Sequence, residues 1–177
     1  HTAQNAELGT HSMIIMQFGG TSVGSADAIR QVADIVKSHY RLQPLVVVSA
    51  MSKVTDTLRS IAEEACKGHD PKELIQTVRL RHKEAIEALI ATEERASILS
   101  VCFNMIDELE KICHGIMLLQ ELSSRSIDLV SSFGERLSAP IISAALRTND
   151  VPSVPIDARD YIKTDERHTE AEVDFPE

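Results

Sequence analysis

Apolar residues near the start of the chain are spaced first for a strand and then for a helix. Residues 13–18 form a short apolar run that ends at two glycines, and residues 45–48 follow Pro44 and include three consecutive valines. Both runs predict buried strands. Apolar residues at 29, 32, 33 and 36 recur in steps of three and four, which predicts an amphipathic helix between them. The order strand, glycine turn, helix, strand predicts a parallel βαβ unit.

The middle of the chain predicts four helices. They cover residues 54–67, ended by Gly68, then about 70–90, about 93–119 and about 124–147. The third helix carries an apolar stripe that we expect to face the core, formed by Ile98, Cys102, Met105, Leu109, Ile112, Ile116 and Leu119. The remaining pattern predicts a strand at 151–156, a loop at 157–160 and, after Tyr161, a polar segment that could begin a hairpin.

Composition narrows the class of protein. The 177 residues are enough for one domain, and aromatic residues are only 3% of them, so the core must consist of Ile, Leu, Val, Ala and Met. The net charge of −9 argues against non-specific binding to nucleic acid or to an anionic membrane. No apolar run reaches the roughly 18 residues of a membrane span, and no secretory pattern opens the chain.

Two further features concern the ends and the cysteines. Residues 1–12 are polar and aperiodic and precede Met13, so we expect them to be the remnant of an expression tag. Cys66, Cys102 and Cys113 lie in predicted helices without a CxxC spacing. They are expected to be buried small hydrophobic residues in a reducing compartment, with no metal site.

The glycine turn after the first strand is the first candidate site. Gly19 and Gly20 allow the backbone to approach a ligand closely, and Thr21 and Ser22 add hydroxyl donors before the helix begins. The turn could therefore cradle phosphates. It matches neither GxGxxG nor the P-loop pattern, and a tight turn with a serine cap explains it equally well.

Two more stretches carry polar residues at suggestive places. Residues 49–56 follow the second strand, and ligands of open α/β sheets lie beyond the carboxyl ends of the strands, so Ser49 and Thr55 could bind a polar substrate. Helix capping is the alternative role for Thr55. In the fourth helix, Gly134 requires a reason such as close backbone approach, and Glu135 lies on a polar stripe that could bind an ammonium group or simply face solvent.

The three stretches in this order resemble the aspartate kinases of the amino-acid kinase family. The family pattern KFGGTS, VVSAM…VTD and GERLS is matched at residues 17–22, 46–56 and 134–138, and residues 157–165 resemble the stretch that follows the next strand. The resemblance covers residues 13–177. It implies an α/β fold, a three-layer sandwich with a mostly parallel sheet, of which this chain would be the N-terminal, aspartate-binding part, incomplete at its C-terminal end.

The resemblance also implies a reaction and a division of roles. Aspartate kinases use ATP and Mg²⁺ to phosphorylate the side-chain carboxylate of L-aspartate, the first step toward lysine, threonine and methionine. By motif, Gly19, Gly20, Thr21 and Ser22 would meet the phosphates. Ser49 and Thr55 would hold aspartate, with Glu135 on its amino group. The family further implies a cytoplasmic enzyme that forms a homo-oligomer at full length.

The chain departs from the family pattern at Gln17, where the family has a lysine that would neutralise the transferring phosphoryl group. Losing one such contact elsewhere reduces the rate on the order of 10²–10³-fold. Lys53 and Arg136 are nearby cations in the motifs, and the sequence does not choose between them. The nucleotide-binding half, with its RGGSD-type segment, and the regulatory ACT domains are expected beyond residue 177.

Two alternatives stay open, and Gln17 motivates the first of them. The chain could belong to a non-catalytic amino-acid-binding or assembly module derived from the kinase. It could also belong to a related amino-acid kinase that acts on glutamate or acetylglutamate.

Overall fold

The first two strands and the helix between them form the predicted parallel βαβ unit. In this computed structural model, which describes residues 13–168 and 170–175, strand β1 spans Ile15–Phe18, helix α1 spans Ala26–Ser38 and strand β2 spans Leu45–Val48. The strands pair in parallel, with Ile15 beside Leu45 and Phe18 beside Val48. A 3₁₀ turn at Tyr40–Leu42 returns the chain to β2. Residues 1–12, the predicted tag remnant, lie outside the described residues.

Four helices follow, close to their predicted bounds. Helix α2 spans Val54–Cys66, α3 spans Lys72–Leu89, α4 spans Thr92–Leu119 and α5 spans Ser124–Thr148. Helix α5 is central because it packs against α1, α2, α3 and α4 and also contacts β2. Its residues from Pro140 to Leu146 are all buried, as expected for a helix surrounded by neighbours. The α/β class and the parallel sheet predicted from the sequence are confirmed.

The sheet is covered on one face only in the described part of the chain. Met16, Phe18, Val46 and Val48 pack against the helical core. On the opposite face Ile15 is 67% exposed, Leu45 41% and Val47 45%. The prediction that the valine run is buried on both faces is therefore wrong for this chain by itself, because no described element covers Val47.

The predicted strand at 151–156 is also wrong. The backbone of this segment bonds to the end of α5 instead of to the sheet: the Val151 N–H donates to the Leu146 carbonyl at 2.9 Å, and the Ser153 carbonyl accepts from Arg147 Nη1 at 2.8 Å. Pro152 and Pro155 have no N–H to donate. The predicted hairpin is present, since Thr164 and Val173 form an antiparallel bridge.

The apolar stripe of α4 is shifted from its predicted positions. Ile106 and Cys113 are fully buried, whereas Met105 and Ile112 are only partly buried and Leu119 is 76% exposed. Leu118 and Leu119, in the last turn of this 28-residue helix, are 71% and 76% exposed, so no described element covers them. The stripe residues Ile98, Cys102, Leu109 and Ile116 are buried as predicted.

The cysteines are free, and two of them are buried. Cys102 and Cys113 lie in the core of α4, whereas Cys66 at the end of α2 is half-buried. Burial raises the pKa of Cys102 to about 12 and that of Cys113 to about 11, so both thiols are neutral at physiological pH. The prediction that they act as small hydrophobic residues is confirmed for these two.

His82 is a fully buried polar residue of α3. Its Nδ1 lies 2.7 Å from the Val78 carbonyl oxygen, which fits an Nδ1–H donor, and its Nε2 has no partner in the described part of the chain. Burial is the main cause that lowers the pKa of His82 below 6.5, and the nearby Arg81 adds to it. The folded protein therefore holds this imidazole neutral.

We expect the free energy of unfolding to fall as the pH drops below about 6.5. The unfolded chain binds a proton at His82 near that pH while the folded chain resists it, so protonation favours unfolding, by up to about 1.4 kcal/mol per pH unit. Urea titrations between pH 5 and pH 8 measure this slope. His82→Leu should flatten it, whereas His39→Gln at an exposed histidine should not; an unchanged slope in His82→Leu contradicts the prediction.

The open sheet face should cause self-association of this chain in isolation. Burying Ile15, Leu45 and Val47 against a second copy would remove apolar surface from water. Sedimentation velocity should show dimers or larger species that Val47→Lys reduces. Val154→Lys, at a residue 82% exposed outside the sheet, is the control and should leave association unchanged. A monomeric wild-type chain that melts cooperatively would contradict this expectation.

Candidate functional site

The glycine turn connects β1 to α1 through two tight bends. The Ser22 N–H donates to the Gly19 carbonyl at 2.9 Å, and the Gly24 N–H donates to the Thr21 carbonyl at 3.3 Å. The helix begins only afterwards, with Ser25 as its cap: Ser25 Oγ accepts from the Ala28 N–H at 3.2 Å. The N–H groups of Gly20 and Thr21 donate to no atom of residues 13–168 and 170–175, so they remain available to a ligand.

A second segment, residues 49–53, leads from the end of β2 into α2 beside this turn. A Cβ on Gly20 would lie 3.1 Å from the Ala50 carbonyl oxygen, which is tighter than most side chains tolerate. Gly20 therefore allows the two segments to touch. Lys53 is the residue before α2, and its φ of +67° places it in the left-handed region. The Val54 N–H donates back to the Met51 carbonyl at 2.9 Å, which closes the bend.

Helix α5 brings the third motif against the same segment. Ser138 is buried, and its Oγ donates to the Ser49 carbonyl at 2.7 Å. One turn earlier, Glu135 Oε1 accepts the Ala50 N–H at 3.3 Å. Gly134 makes this approach possible, because a Cβ there would lie 2.6 Å from Ala50 Cβ. The sequence-based expectation that Gly134 permits close backbone approach is confirmed.

The three motifs surround one open concavity of about 360 Å³. Among the predicted site residues, those that line it are Gly20, Thr21, Ser49, Thr55 and Glu135. Gly19 and Ser22 belong to the same turn but are not in the lining. The lining also includes Lys53, one of the two candidate cations, and four residues that the sequence did not single out: Ala50, Met51, Ser52 and Asp56. The sequence feature that could have identified these lining residues is their position inside the second motif, residues 46–56.

Gln17 lies apart from this lining. It pairs in register with Val47 and is exposed on the uncovered face of the sheet, while its neighbours Met16 and Phe18 pack on the core. Strand alternation causes this placement, since successive side chains point to opposite faces. The structure thus brings most of the predicted residues together but leaves Gln17 outside the concavity.

The charges around the concavity are few. In the lining drawn from the described residues, Lys53 is the one cation, and Asp56 and Glu135 are the carboxylates. Arg136, the other candidate cation, is committed elsewhere: its Nη2 lies 3.1 Å from Glu108 Oε2, and its guanidinium stacks on the Phe133 ring at 4.3 Å. Arg136 is not part of the lining.

A divalent metal would have few protein ligands here. No group of three or more His, Cys, Asp or Glu side chains that could hold a metal occurs in the described residues. Asp56 is the lining carboxylate for which the structure shows no bond to a described residue. This set fits Mg²⁺, which commonly uses one or two carboxylates together with substrate phosphates. It does not fit an all-protein cage.

The stretch after residue 156 is ordered by its own charges. Asp157 caps a 3₁₀ turn at Ala158–Asp160 by accepting the Arg159 N–H at 3.0 Å. Hydrogen bonds from the Arg159 side chain hold the pKa of Asp157 at about 2. These residues do not line the concavity.

A search of the described helices for a membrane-spanning segment finds none with the required length and hydropathy.

Gly134→Ala should destabilise the protein by about 1–3 kcal/mol, because the new methyl group would overlap the short, backbone-attached Ala50 side chain. Gly115→Ala is the matched control. Gly115 also lies inside a helix, α4, but a Cβ there meets no described atom within 4 Å, so Ala should stabilise by about 0.5–1 kcal/mol. Chemical denaturation measures both. Equal effects of the two substitutions would contradict close packing at Gly134.

Comparisons with known proteins agree on one family. The model of the amino acid kinase family matches residues 12–175. Aspartokinase 1, chloroplastic, of Arabidopsis thaliana is 34% identical over 157 residues, which are 86% of this chain and 27% of that protein. The chain therefore spans about a quarter of the length of this relative.

Two crystal structures of E. coli aspartokinase III superpose on the chain, each with a TM-score of 0.81 and 28% identity. Each match covers 92% of this chain and 35% of the other. One holds lysine and aspartate, and the other holds aspartate and ADP. The resemblance to aspartate kinases predicted from the three motifs is confirmed. Since the family model covers nearly the whole chain, the chain belongs to the amino acid kinase family.

Proposed function

We propose that residues 13–177 are the aspartate-binding part of an aspartate kinase whose kinase domain continues beyond residue 177. The enzyme would transfer the γ-phosphoryl group of ATP to the side-chain carboxylate of L-aspartate. The observation that carries this proposal is the meeting of three distant segments, at Gly20–Thr21, Ser49–Asp56 and Glu135, around one polar concavity. E. coli aspartokinase III holds aspartate and ADP, which supports aspartate and an adenine nucleotide as the ligands proposed here.

The aspartate side of the site would use Ser49, Thr55 and Glu135. Glu135 keeps one oxygen on the Ala50 N–H, which fixes the carboxylate and leaves the other oxygen for the substrate ammonium group. Thr55 lies in the first turn of α2, where N–H groups lack helical acceptors and favour an anion such as a substrate carboxylate. Ser49 adds a hydroxyl at the end of β2. Together these groups fit a small zwitterion with a second carboxylate.

The phosphate side would use the glycine turn. The free N–H groups of Gly20 and Thr21 and the Thr21 hydroxyl suit phosphate oxygens, and Gly19 and Ser22 complete the turn.

In the transfer, a carboxylate oxygen of aspartate bonds to the γ-phosphorus as the bond to the β–γ bridging oxygen breaks, and the electron pair leaves with ADP. The attacking carboxylate needs no general base, so the protein contributes position and charge. Mg²⁺, beside Asp56 and the phosphates, would neutralise part of the charge.

The enzyme that contains this chain should form a hydroxamate when given ATP, Mg²⁺, aspartate and hydroxylamine, which traps the acyl phosphate. Glu135→Gln should raise the KM for aspartate about 10–100-fold, because the amide keeps the bond to Ala50 but loses the charge facing the substrate ammonium. Glu84→Gln, at an exposed residue of α3, is the control and should leave the KM unchanged. A wild-type protein that yields no hydroxamate above background would refute the proposed activity.

A non-catalytic amino-acid-binding module is the second candidate, and one observation favours it. At position 17 the chain has a neutral glutamine where the family has lysine. Gln17 also lies outside the concavity, so it contributes no charge there. Under this alternative, wild type would be inactive and Gln17→Lys would restore turnover. A fully active wild type would exclude it. Glutamate and acetylglutamate in the same assay distinguish the related amino-acid kinases.

Several broader expectations stay predictions. A role in lysine, threonine and methionine synthesis and assembly into a homo-oligomer follow from the resemblance to aspartate kinases. The cytoplasmic location also stays a prediction, since the plant relative carries a chloroplastic name.

A further inference from the structure

The proposed substrates would bring more negative charge to the concavity than its lining can balance. Aspartate carboxylates and ATP phosphates would bring several negative charges to a lining that already contains Asp56 and Glu135. Gln17 carries no charge and is exposed on the open face of the sheet. The net charge of the chain, −9, worsens the repulsion. In addition to Mg²⁺, a cationic side chain in the lining would lower this repulsion.

Lys53 is placed to be that cation. It lines the concavity together with Gly20 and Thr21, the residues whose N–H groups are free, and it directly precedes α2. The flexible four-carbon stem of lysine lets its ammonium group move to meet a phosphate oxygen. No ion pair holds Lys53 among the described residues.

The other nearby cations are occupied. Arg136 is held by Glu108 and by the Phe133 ring. Arg81 of α3 donates from its Nη2 to the Gly24 carbonyl at 3.0 Å, which ties it to the far end of the glycine turn. Neither residue is in the lining of the concavity. Among the described residues that line the concavity, Lys53 is therefore the one cation, and it has no ion-pair partner.

The backbone of Lys53 is left-handed, which makes glycine a tolerated replacement. Its φ of +67° and ψ of −3° are left-handed values that a residue with a side chain rarely adopts. Glycine would fit there with less strain, so stability alone does not favour lysine at this position. Gln43, Gln120 and Asp150 also have a positive φ, and what distinguishes Lys53 from them is its place in the lining of the concavity.

We propose that Lys53 neutralises the transferring phosphoryl group and thereby replaces the charge that Gln17 lacks. The inference rests on the proposed function and names one further catalytic residue for it. As the aspartate oxygen bonds to phosphorus and the bridging oxygen departs with its electron pair, the Lys53 ammonium contacts the phosphoryl oxygens. It keeps its proton throughout and acts only by charge.

Lys53→Gly in the enzyme that contains this chain tests the idea directly. Because glycine relieves the left-handed strain, the melting temperature should be equal to or above that of wild type. The value of kcat in the hydroxamate assay should fall on the order of 10²-fold, with a smaller change in the KM for aspartate. Lys111→Ala, at an exposed lysine of α4, is the control and should leave both values unchanged. A kcat for Lys53→Gly within twofold of wild type would overturn the proposal.

A second-site substitution and a binding measurement separate charge from structure. Adding Gln17→Lys to Lys53→Gly returns a cation to the position where the family has lysine and should recover at least tenfold of the lost kcat. In parallel, ¹⁵N-labelled chain is titrated with inorganic tripolyphosphate while the amide signals of Gly20, Thr21 and Thr55 are followed. Lys53→Gly should weaken the shifts at least fivefold, whereas Lys111→Ala should not.

The hydroxamate assay and the tripolyphosphate titration distinguish failure of the proposed function from failure of the Lys53 proposal. If wild type forms no hydroxamate, the proposed function is wrong, and the tripolyphosphate titration still decides whether Lys53 contacts phosphate. If wild type is active and Lys53→Gly titrates like wild type, the Lys53 proposal is wrong and the proposed function stands. Absence of shifts at Gly20 and Thr21 in wild type would also overturn the Lys53 proposal.

Discussion

The structure depends on the close contact between α5 and the segment that leaves β2. Gly134 permits this contact because any larger residue would meet Ala50, and two hydrogen bonds fix it: Ser138 to the Ser49 carbonyl and the Ala50 N–H to Glu135. Helix α5 also packs against all four of the other helices. The same contact therefore joins the helical core to the carboxyl end of the sheet. Ser49, Ala50 and Glu135, which take part in this contact, also line the concavity.

This contact explains why the concavity is polar although the core beneath it is not. The chain leaves β2 at Val48, and the groups of the following loop must find partners outside the sheet ladder. Buried Ser138 satisfies one carbonyl, and Glu135 satisfies one N–H. The groups left over, at Gly20, Thr21 and the start of α2, lie together at the sheet edge where α/β proteins commonly bind ligands.

The sequence predicted the helices, and which candidate residues lie close together, better than it predicted the exposure of the surfaces. Strong periodicity gave the bounds of α2 to α5 closely, and family motifs brought Ser49, Thr55 and Glu135 into one group. The predicted strand at 151–156 was wrong because its N–H and carbonyl groups bond to the end of α5, a tertiary contact with no local signal. The valine run could not reveal that Val47 lacks a cover, since burial depends on what packs against the sheet. Likewise, the position of Lys53 beside the glycine turn depends on the pairing of two strands distant in sequence.

Gln17 and Lys53 differ in where the fold places them relative to the concavity. Position 17 lies on a strand, and its side chain is directed to the open face of the sheet by simple alternation. A cation there can act at the phosphates only if its side chain extends past the strand end. Position 53 follows the strand instead and lies in the lining itself. Position 53 therefore borders the concavity and position 17 does not, and the backbone at 53 has a left-handed φ of +67°. Under the proposal, a cation at position 53 would make one at position 17 unnecessary for the charge balance of the site.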